Sequence, residues 1–383
     1  MQRGFLSKKR LDIIWSQEYT DAKRNVYETA YTKEVKMKQA TIYDISRKAG
    51  VSIATVSRVL NDNSKVSAKT KAKVLAVMEE YEYEPNVFAR GLGTGSMKTI
   101  GILCADVADI YLANAVSFLE RELSREGFDT LLNCTGYEYK DKVKCMRMME
   151  SHKVDAVIMV GSHYIEECSR RNEYILDVSR RIPVMLLNGY LDGENIYCNL
   201  SDDYGAFYEA TKKLIDCGCR RVLFLRREVT NSSMRKQSGY EDALKVCGLE
   251  LDPELVLPCN HRIQSIKLEM EAYFETHPMV DGVMACDDEL AIGAMKYFQE
   301  KSLNVPEDIS IIGCNNSVLS ICSEPELTSI DNMCEVVCVN TVSMLMRVLE
   351  QQKVSPKTLV SCKFVDRGTT RNAAEQQVER GKA

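Results

Sequence analysis

From Thr99 to Val365 short apolar runs alternate with helical patterns, and no other property of the chain restricts its fold as strongly. The runs TIGILCA, DTLLNC, VDAVIMVG and PVMLLN are separated by amphipathic stretches at Leu112 to Glu126, Lys140 to Ser151 and Glu166 to Val178. This order is that of a βαβ series around a parallel sheet, because parallel neighbours need a crossover long enough to hold a helix. A second series follows: RRVLFLR, a helix from Lys236 to Val246, ELVLPC, a helix from Ile266 to Thr276, GVMAC, a helix from Leu290 to Lys301, and ISIIGC. A helix from Val336 to Glu350 and a final strand, Leu359 to Val365, complete the body. Two doubly wound sheets in tandem, each with its ligand-facing loops at the carboxyl ends of its strands, form a clamshell with a cleft between them.

Ahead of that body, Thr41 to Asn61 reads TIYDISRKAGVSIATVSRVLN. Ile42, Ile45 and Ala49 share one face of a first helix, Gly50 supplies a turn, and Ser52 caps a second helix whose buried face is Val56, Val59 and Leu60. Ile53, Ala54, Ser57 and Arg58 are left pointing outward. Periodicity alone permits two readings: a helix-turn-helix that offers this face to a DNA major groove, or two ordinary amphipathic helices of a bundle. Ser67 caps a third helix carrying Thr70, Val74, Val77, Met78 and Tyr81 at helical spacing, and Pro85 ends the unit. The segment NVFARGLGTG, Asn86 to Gly95, holds one possible helical turn through Leu92. With Gly91, Gly93 and Gly95 it loses too much backbone entropy to stand alone and folds only when held. Met1 to Lys36 is polar and weakly periodic, and Met37 is the expected physiological start.

A chain of 383 residues exceeds one compact core, and 45% hydrophobic with 27% charged residues is an ordinary globular composition. The net charge of -5 hides a local excess of base: Lys38, Arg47, Lys48, Arg58, Lys65, Lys69, Lys71 and Lys73 face only Asp44 and Asp62. Phosphate neutralisation requires such a patch. The fifteen cysteines are scattered through apolar runs without a Cys-x-x-Cys pair, which reads as buried thiols in a reducing compartment. Neither a membrane span nor an export signal is legible, so a cytoplasmic protein is expected. There is no GxGxxG, Walker loop or Gly-x-Ser-x-Gly elbow, and His152, His163, His261 and His277 have no metal spacing. An enzyme is therefore not expected, nor is a cofactor or metal; among the histidines His261, in the CNHR loop, is the one to test. A sensor whose cleft is its whole function is the rival reading, and the helical head argues against it.

Taken together, VSIATVSRVLN within the helix-turn-helix, the later PNVFARGL, and SGYEDAL, CDDELAIGAM and VDRGTT in the body resemble the lactose/galactose repressor family of bacterial transcription factors, from about Met37 to Arg371. The resemblance implies a DNA-binding head at 37–84, a hinge helix and linker at 85–98 that orders on operator DNA, and an effector-binding core at 99–371 like a periplasmic sugar-binding protein. Residues 1–36 then form an extension and 372–383 a polar tail. The core divides into an N-subdomain, about 99–199 with 332–358, and a C-subdomain, about 200–331 with 359–371. Carried over by position, Ile53 and Ala54 begin the recognition helix and Arg58 matches the base-reading arginine, suited to bidentate contact with guanine. Thr41, Tyr43, Ser52, Ser57 and Asn61 can donate to phosphates. Leu92 matches the leucine that similar proteins insert at the operator centre, with Ala89 beside it, which implies a symmetric dimer on a near-palindromic site.

In the core, Asp288 matches the family's ligand-binding aspartate, while Asp287 and Glu289 can equally be solvated helix-start charges. Lys236 stands where relatives often have arginine, with Arg235 one residue earlier. This departure puts the effector chemistry in doubt, since lysine lacks the planar fork. Asp106, Tyr111, Ser162 and Asn188 occupy strand ends where a ligand could sit, or where a turn former is needed. The effector expected is a sugar or related metabolite. A partner protein in its place, as in catabolite-control members, is the alternative. The tail lacks a leucine heptad, so a dimer without a tetramer bundle is expected.

Overall fold

The computed structural model describes residues 40–60, 66–83, 96–259 and 263–371. The chain separates into two units, residues 1–95 and 96–383.

In the first unit, the Thr41 backbone N–H and hydroxyl both donate to the Asp44 carboxylate, at 3.0 and 2.6 Å, opening α1 (Ile42–Ala49). Gly50, at φ +62°, ends it in the left-handed region that favours glycine. Ser52 accepts from the Thr55 amide at 3.2 Å to start α2 (Ile53–Leu60), and Ser67 does the same for Thr70 at the start of α3 (Ala68–Glu80). Ile45, Ala49, Val56, Val59, Val74, Val77 and Met78 close a small shared core. Tyr81, expected in that stripe, lies at the end of α3 and is 38% exposed, because the helix stops before its ring can turn inward.

The second unit begins with β1 (Thr99–Cys104), α4 (Ile110–Arg125), β2 (Asp129–Cys134), α5 (Tyr139–Ser151), β3 (Ala156–Val160), α6 (Glu173–Ser179), β4 (Val184–Leu187) and β5 (Ile196–Ser201). It continues with α7 (Asp203–Asp216), β6 (Val222–Arg226), α8 (Asn231–Val246), β7 (Val256–Pro258), α9 (Ile263–Phe274), β8 (Gly282–Ala285), α10 (Asp288–Glu300), β9 (Ser310–Cys314), α11 (Val318–Cys322) and β10 (Thr328–Asp331). The last elements are α12 (Cys334–Leu349), β11 (Lys357–Val360) and β12 (Lys363–Val365). They form two six-stranded sheets, ordered β11-β5-β4-β3-β1-β2 and β12-β10-β9-β8-β6-β7. Every pairing is parallel except β10 with the edge strand β12. Helices cover both faces, so the central strands are apolar throughout; β3 and β4 are wholly buried.

Several elements differ from the sequence reading. The α-helix expected over Glu166 to Val178 is confined to α6, with a short 3-10 turn at Ser169–Asn172 before it, because the Asn172 side chain bonds both the amide and the carbonyl of Glu166 at 2.9 Å and pulls the segment away from α-helical geometry. The final strand is two strands on different sheets, since Ser361 and Cys362 cross from one subdomain to the other. β5, α7 and β10 have no counterpart in the reading above. The close packing of α7 on α8 depends on Gly239, where a Cβ would stand 2.3 Å from the Tyr204 carbonyl oxygen and 2.9 Å from the Tyr208 amide nitrogen.

In each sheet the strand order reverses once, between β1 and β3 in the first and between β6 and β8 in the second. Adjacent loops diverge to opposite faces at such a point and leave a crevice at the carboxyl ends.

Candidate functional site

On the head, the outward face of α2 consists of Ile53 (39% exposed), Ala54 and Arg58, with Ser57 half-buried beside them and Val56 and Val59 turned to the core. Tyr43 on α1 is 62% exposed. The hydroxyls of Thr41 and Ser52 are first of all caps, engaged by Asp44 and by Thr55, whose hydroxyl lies 2.9 Å from that of Ser52. Lys48 is held by Glu80 at 3.0 Å, whereas Arg47 is widely exposed and 3.9 Å from Asp44. Asn61, Ala89, Leu92 and His261 lie outside the described residues.

In the second unit a cavity of about 180 Å³ lies where the two crevices face each other. Its first wall comes from the loops after β1, β2, β3 and β4: Asp109, Tyr111, Tyr137, Ser162, His163 and Asn188. The second comes from the loops after β6, β8, β9 and β10 and from α8: Arg227, Glu228, Lys236, Asp287, Asp288, Glu289, Asn315, Ser317 and Asn332. Asp106 does not line it. That carboxylate is exposed and accepts from the Ala108 amide at 2.9 Å, and the turn this bond closes delivers Asp109 instead. Asp109 in turn accepts from the Leu112 amide at 2.9 Å as the cap of α4.

Most of the residues expected here are present, but protein partners occupy much of their hydrogen-bonding capacity. Asn188 donates to the Tyr111 hydroxyl at 2.7 Å and accepts from the Ser201 amide at 2.8 Å, and the Ser201 hydroxyl donates to the Asn332 carbonyl at 2.7 Å. Asn332 donates onward to Asn315 Oδ1 at 2.8 Å, so a continuous chain ties the two subdomains through the crossover segments. Ser162 donates across the cleft to Thr230 Oγ1 at 2.9 Å. Asp288 is 2% exposed, with one oxygen accepting from the Ser329 hydroxyl and the other from the Ser317 amide, both at 2.6 Å. Burial is the main cause that pushes its pKa up to about 6; these two bonds act against it. Asp288 thus fastens the loops after β9 and β10 at the cavity floor.

The remaining charges are concentrated on the second wall. Arg227 forms a fork with Asp287, Nε at 2.5 Å and Nη2 at 3.2 Å, and Nη2 also reaches Glu289 at 2.6 Å. Asp287 is the cap of α10, accepting from the Leu290 amide at 2.9 Å, a position where the helix dipole favours a carboxylate. Lys236 donates to the Cys286 carbonyl at 2.9 Å. Burial works against its charge, but the Asp203 and Asp287 carboxylates outweigh it and hold the ammonium above the ordinary lysine range. Asp203 accepts from Ser232 at 2.6 Å. On the first wall, burial and the nearby Lys142 push His163 down to about 3, so its imidazole is neutral, flanked by the rings of Tyr137 and Tyr164 at 5.4 and 4.2 Å.

The family model described as periplasmic binding proteins and sugar binding domain of LacI family matches residues 97–368, and that of bacterial regulatory proteins, lacI family, matches 41–86. An HTH-type transcriptional regulator of Lachnoclostridium phytofermentans is 47% identical over 86% of this chain and 99% of its own length. The chain belongs to the lacI family of bacterial regulatory proteins. The regulator is 28% identical to catabolite control protein A of Priestia megaterium over 76% of this chain and 86% of that protein. It shares its fold with the lac repressor dimer bound to operator and the anti-inducer ONPF, at TM-score 0.80 and 22% identity over 88% of this chain and 100% of that one. Within this family the head is a DNA-binding helix-turn-helix and the core an effector-binding body; the named relatives are transcriptional regulators, not enzymes.

Sequence reasoning missed Asp109, Tyr137, Arg227, Glu228, Asn315 and Asn332 on the walls. The switch-point rule could have found Arg227 and Glu228, which directly follow β6. Tyr137 and Asn332 had no such local signal. No helix among the described residues is long and apolar enough to cross a membrane.

Proposed function

We propose that the regulator is a repressor that binds a near-palindromic operator as a homodimer and is controlled by a small polyhydroxylated metabolite, a sugar or a relative of one, seated in the cavity. The observation that carries the effector part is the lining itself, drawn from loops of both sheets. An occupant touching both walls binds each arrangement of the subdomains with a different affinity, which is the thermodynamic requirement for controlling a distant property. On the DNA side, Arg58, Ala54 and Ile53 are the exposed face suited to base edges, with Tyr43 and Ser57 beside it for the backbone. Thr41, Ser52 and Asn61 join them as phosphate contacts, and Ala89 and Leu92 as the minor-groove element of the hinge, on the family resemblance alone. The same resemblance supports the division into a head at 37–84, a linker at 85–98 and a core at 99–371, and supports a cytoplasmic location.

Sequencing genomic fragments captured by the purified protein tests this reading. The expected product is one enriched near-palindrome, released by a metabolite that also binds the core. With the Arg58→Ala variant, discrimination between that site and random DNA should fall by about 1–3 kcal/mol, while random DNA is bound nearly as before. Equal losses on both would reject base reading by Arg58, and enrichment of no sequence would reject the function.

A further inference from the structure

The cavity holds more negative charge than its own cations neutralise. Among the described residues its carboxylates are Asp109, Asp203, Glu228, Asp287, Asp288 and Glu289, and its only bases besides the neutral His163 are Arg227 and Lys236. Both bases are engaged: Arg227 is shared between two carboxylates, and Lys236 donates to a carbonyl beside Asp203. Asp109 is the acid of the first wall, and burial followed by the opposing Asp287 carboxylate raises its pKa. Asp109 and Asp287 therefore face each other with only the Arg227 guanidinium, already shared by Asp287 and Glu289, to offset their repulsion, and a neutral occupant adds nothing to that offset.

A second, independent feature asks for the same kind of ligand. Asn332 is 4% exposed on the cavity wall; its amide nitrogen is committed to Asn315, and its Oδ1 is buried without a hydrogen-bond partner among the described residues. A buried acceptor left unpaired is costly, and a donor on the ligand removes that cost. The cavity, at about 180 Å³, is also smaller than the roughly 300–1,000 Å³ typical of drug-sized ligands.

We propose that the effector is a small polyhydroxylated amine of hexosamine size, whose ammonium sits between Asp109 of the first wall and the Asp287–Glu289 edge of the second, with its hydroxyl donors toward Asn332. The proposal rests on reading the cavity as the effector site.

Calorimetric titration of the full-length protein with matched pairs, D-glucosamine against D-glucose and D-galactosamine against D-galactose, tests it. In at least one pair the amine should bind about tenfold or more tightly than its neutral partner. Asp109→Asn keeps an acceptor for the Leu112 amide and should erase that preference; Glu289→Gln should reduce it, with folding checked by thermal denaturation. Neutral sugars that bind as well as or better than their amines in both pairs overturn the proposal and leave the effector reading standing. Binding by no member of either pair also overturns it, and operator affinity unmoved by the small-molecule fraction of a cell extract would remove the effector reading as well.

Discussion

The loops of the first subdomain bring to the cavity Tyr111, Tyr137, a neutral His163 and one carboxylate, Asp109, whereas the corresponding loops of the second bring Arg227, Glu228, Lys236, Asp287, Asp288 and Glu289. Both walls arise from the same topology, a sheet whose order reverses once, so the difference lies in the residues at the strand ends and in Lys236 of α8. The first wall supplies shape and ring surface. The second supplies charge, and the supports for that charge lie deep in its own subdomain. A cleft built this way divides its tasks: one side carries most of the charge, and the other most of the ring surface.

The strongest test of that division is Gly239→Val. The added side chain begins 2.3 Å from the Tyr204 carbonyl oxygen, so α7 and α8 must separate, and with them Asp203 and Lys236. Overpacking of this kind against backbone costs about 3 kcal/mol or more. Chemical denaturation followed by hydrogen exchange should find the loss in the second subdomain, with amide protection retained in β1 and β3. Equal loss in both would mean that the walls are not separately supported.

Next in size is Asp288→Asn. A carboxyl whose folded pKa of about 6 lies above the ordinary value of 3.8 favours the fold below pH 4, and this contribution is lost as pH rises through 6. The difference corresponds to about 3 kcal/mol. Asparagine cannot ionise, so the variant should lack that part of the stability decline between pH 4 and 6, measured by denaturant midpoints across this range. If instead the stability profile is unchanged and only ligand binding is lost, Asp288 is a ligand contact and not a floor support.

A smaller effect is expected from Ser162→Ala, which removes the bond to Thr230 across the cleft. One neutral hydrogen bond contributes about 1 kcal/mol, so the ratio of closed to open forms should fall about fivefold, read by small-angle scattering of the protein. Folding stability should barely move, because the bond joins the walls and supports neither. A loss of stability equal to that of Asp288→Asn would show that the first wall is structurally coupled to the second.

How much was legible beforehand follows the same physical line. The head emerges from Thr41 to Tyr83 because caps, a glycine turn and an apolar stripe are all encoded within a few residues. The strands β1, β3, β6, β8 and β9 stand out as apolar runs because both of their faces are buried. Less visible were β10, a four-residue strand, and the break between β11 and β12, where nothing in LVSCKFV marks the passage to another sheet. Asp106 was chosen over Asp109 because both follow the same strand, and only the turn that Asp106 itself closes determines which one faces inward.

By itself, then, the sequence determined the order of elements, the helical head and the ends of the strands at which a ligand must be received, since each depends on contacts between near neighbours along the chain. Only the tertiary structure decided which polar atoms are spent. Ser317 and Ser329, 29 and 41 residues beyond Asp288, occupy its carboxylate, and Thr230, 68 residues beyond Ser162, occupies that hydroxyl. Such pairings depend on which strands become neighbours within a sheet and on how two sheets face each other, relations that no local periodicity encodes.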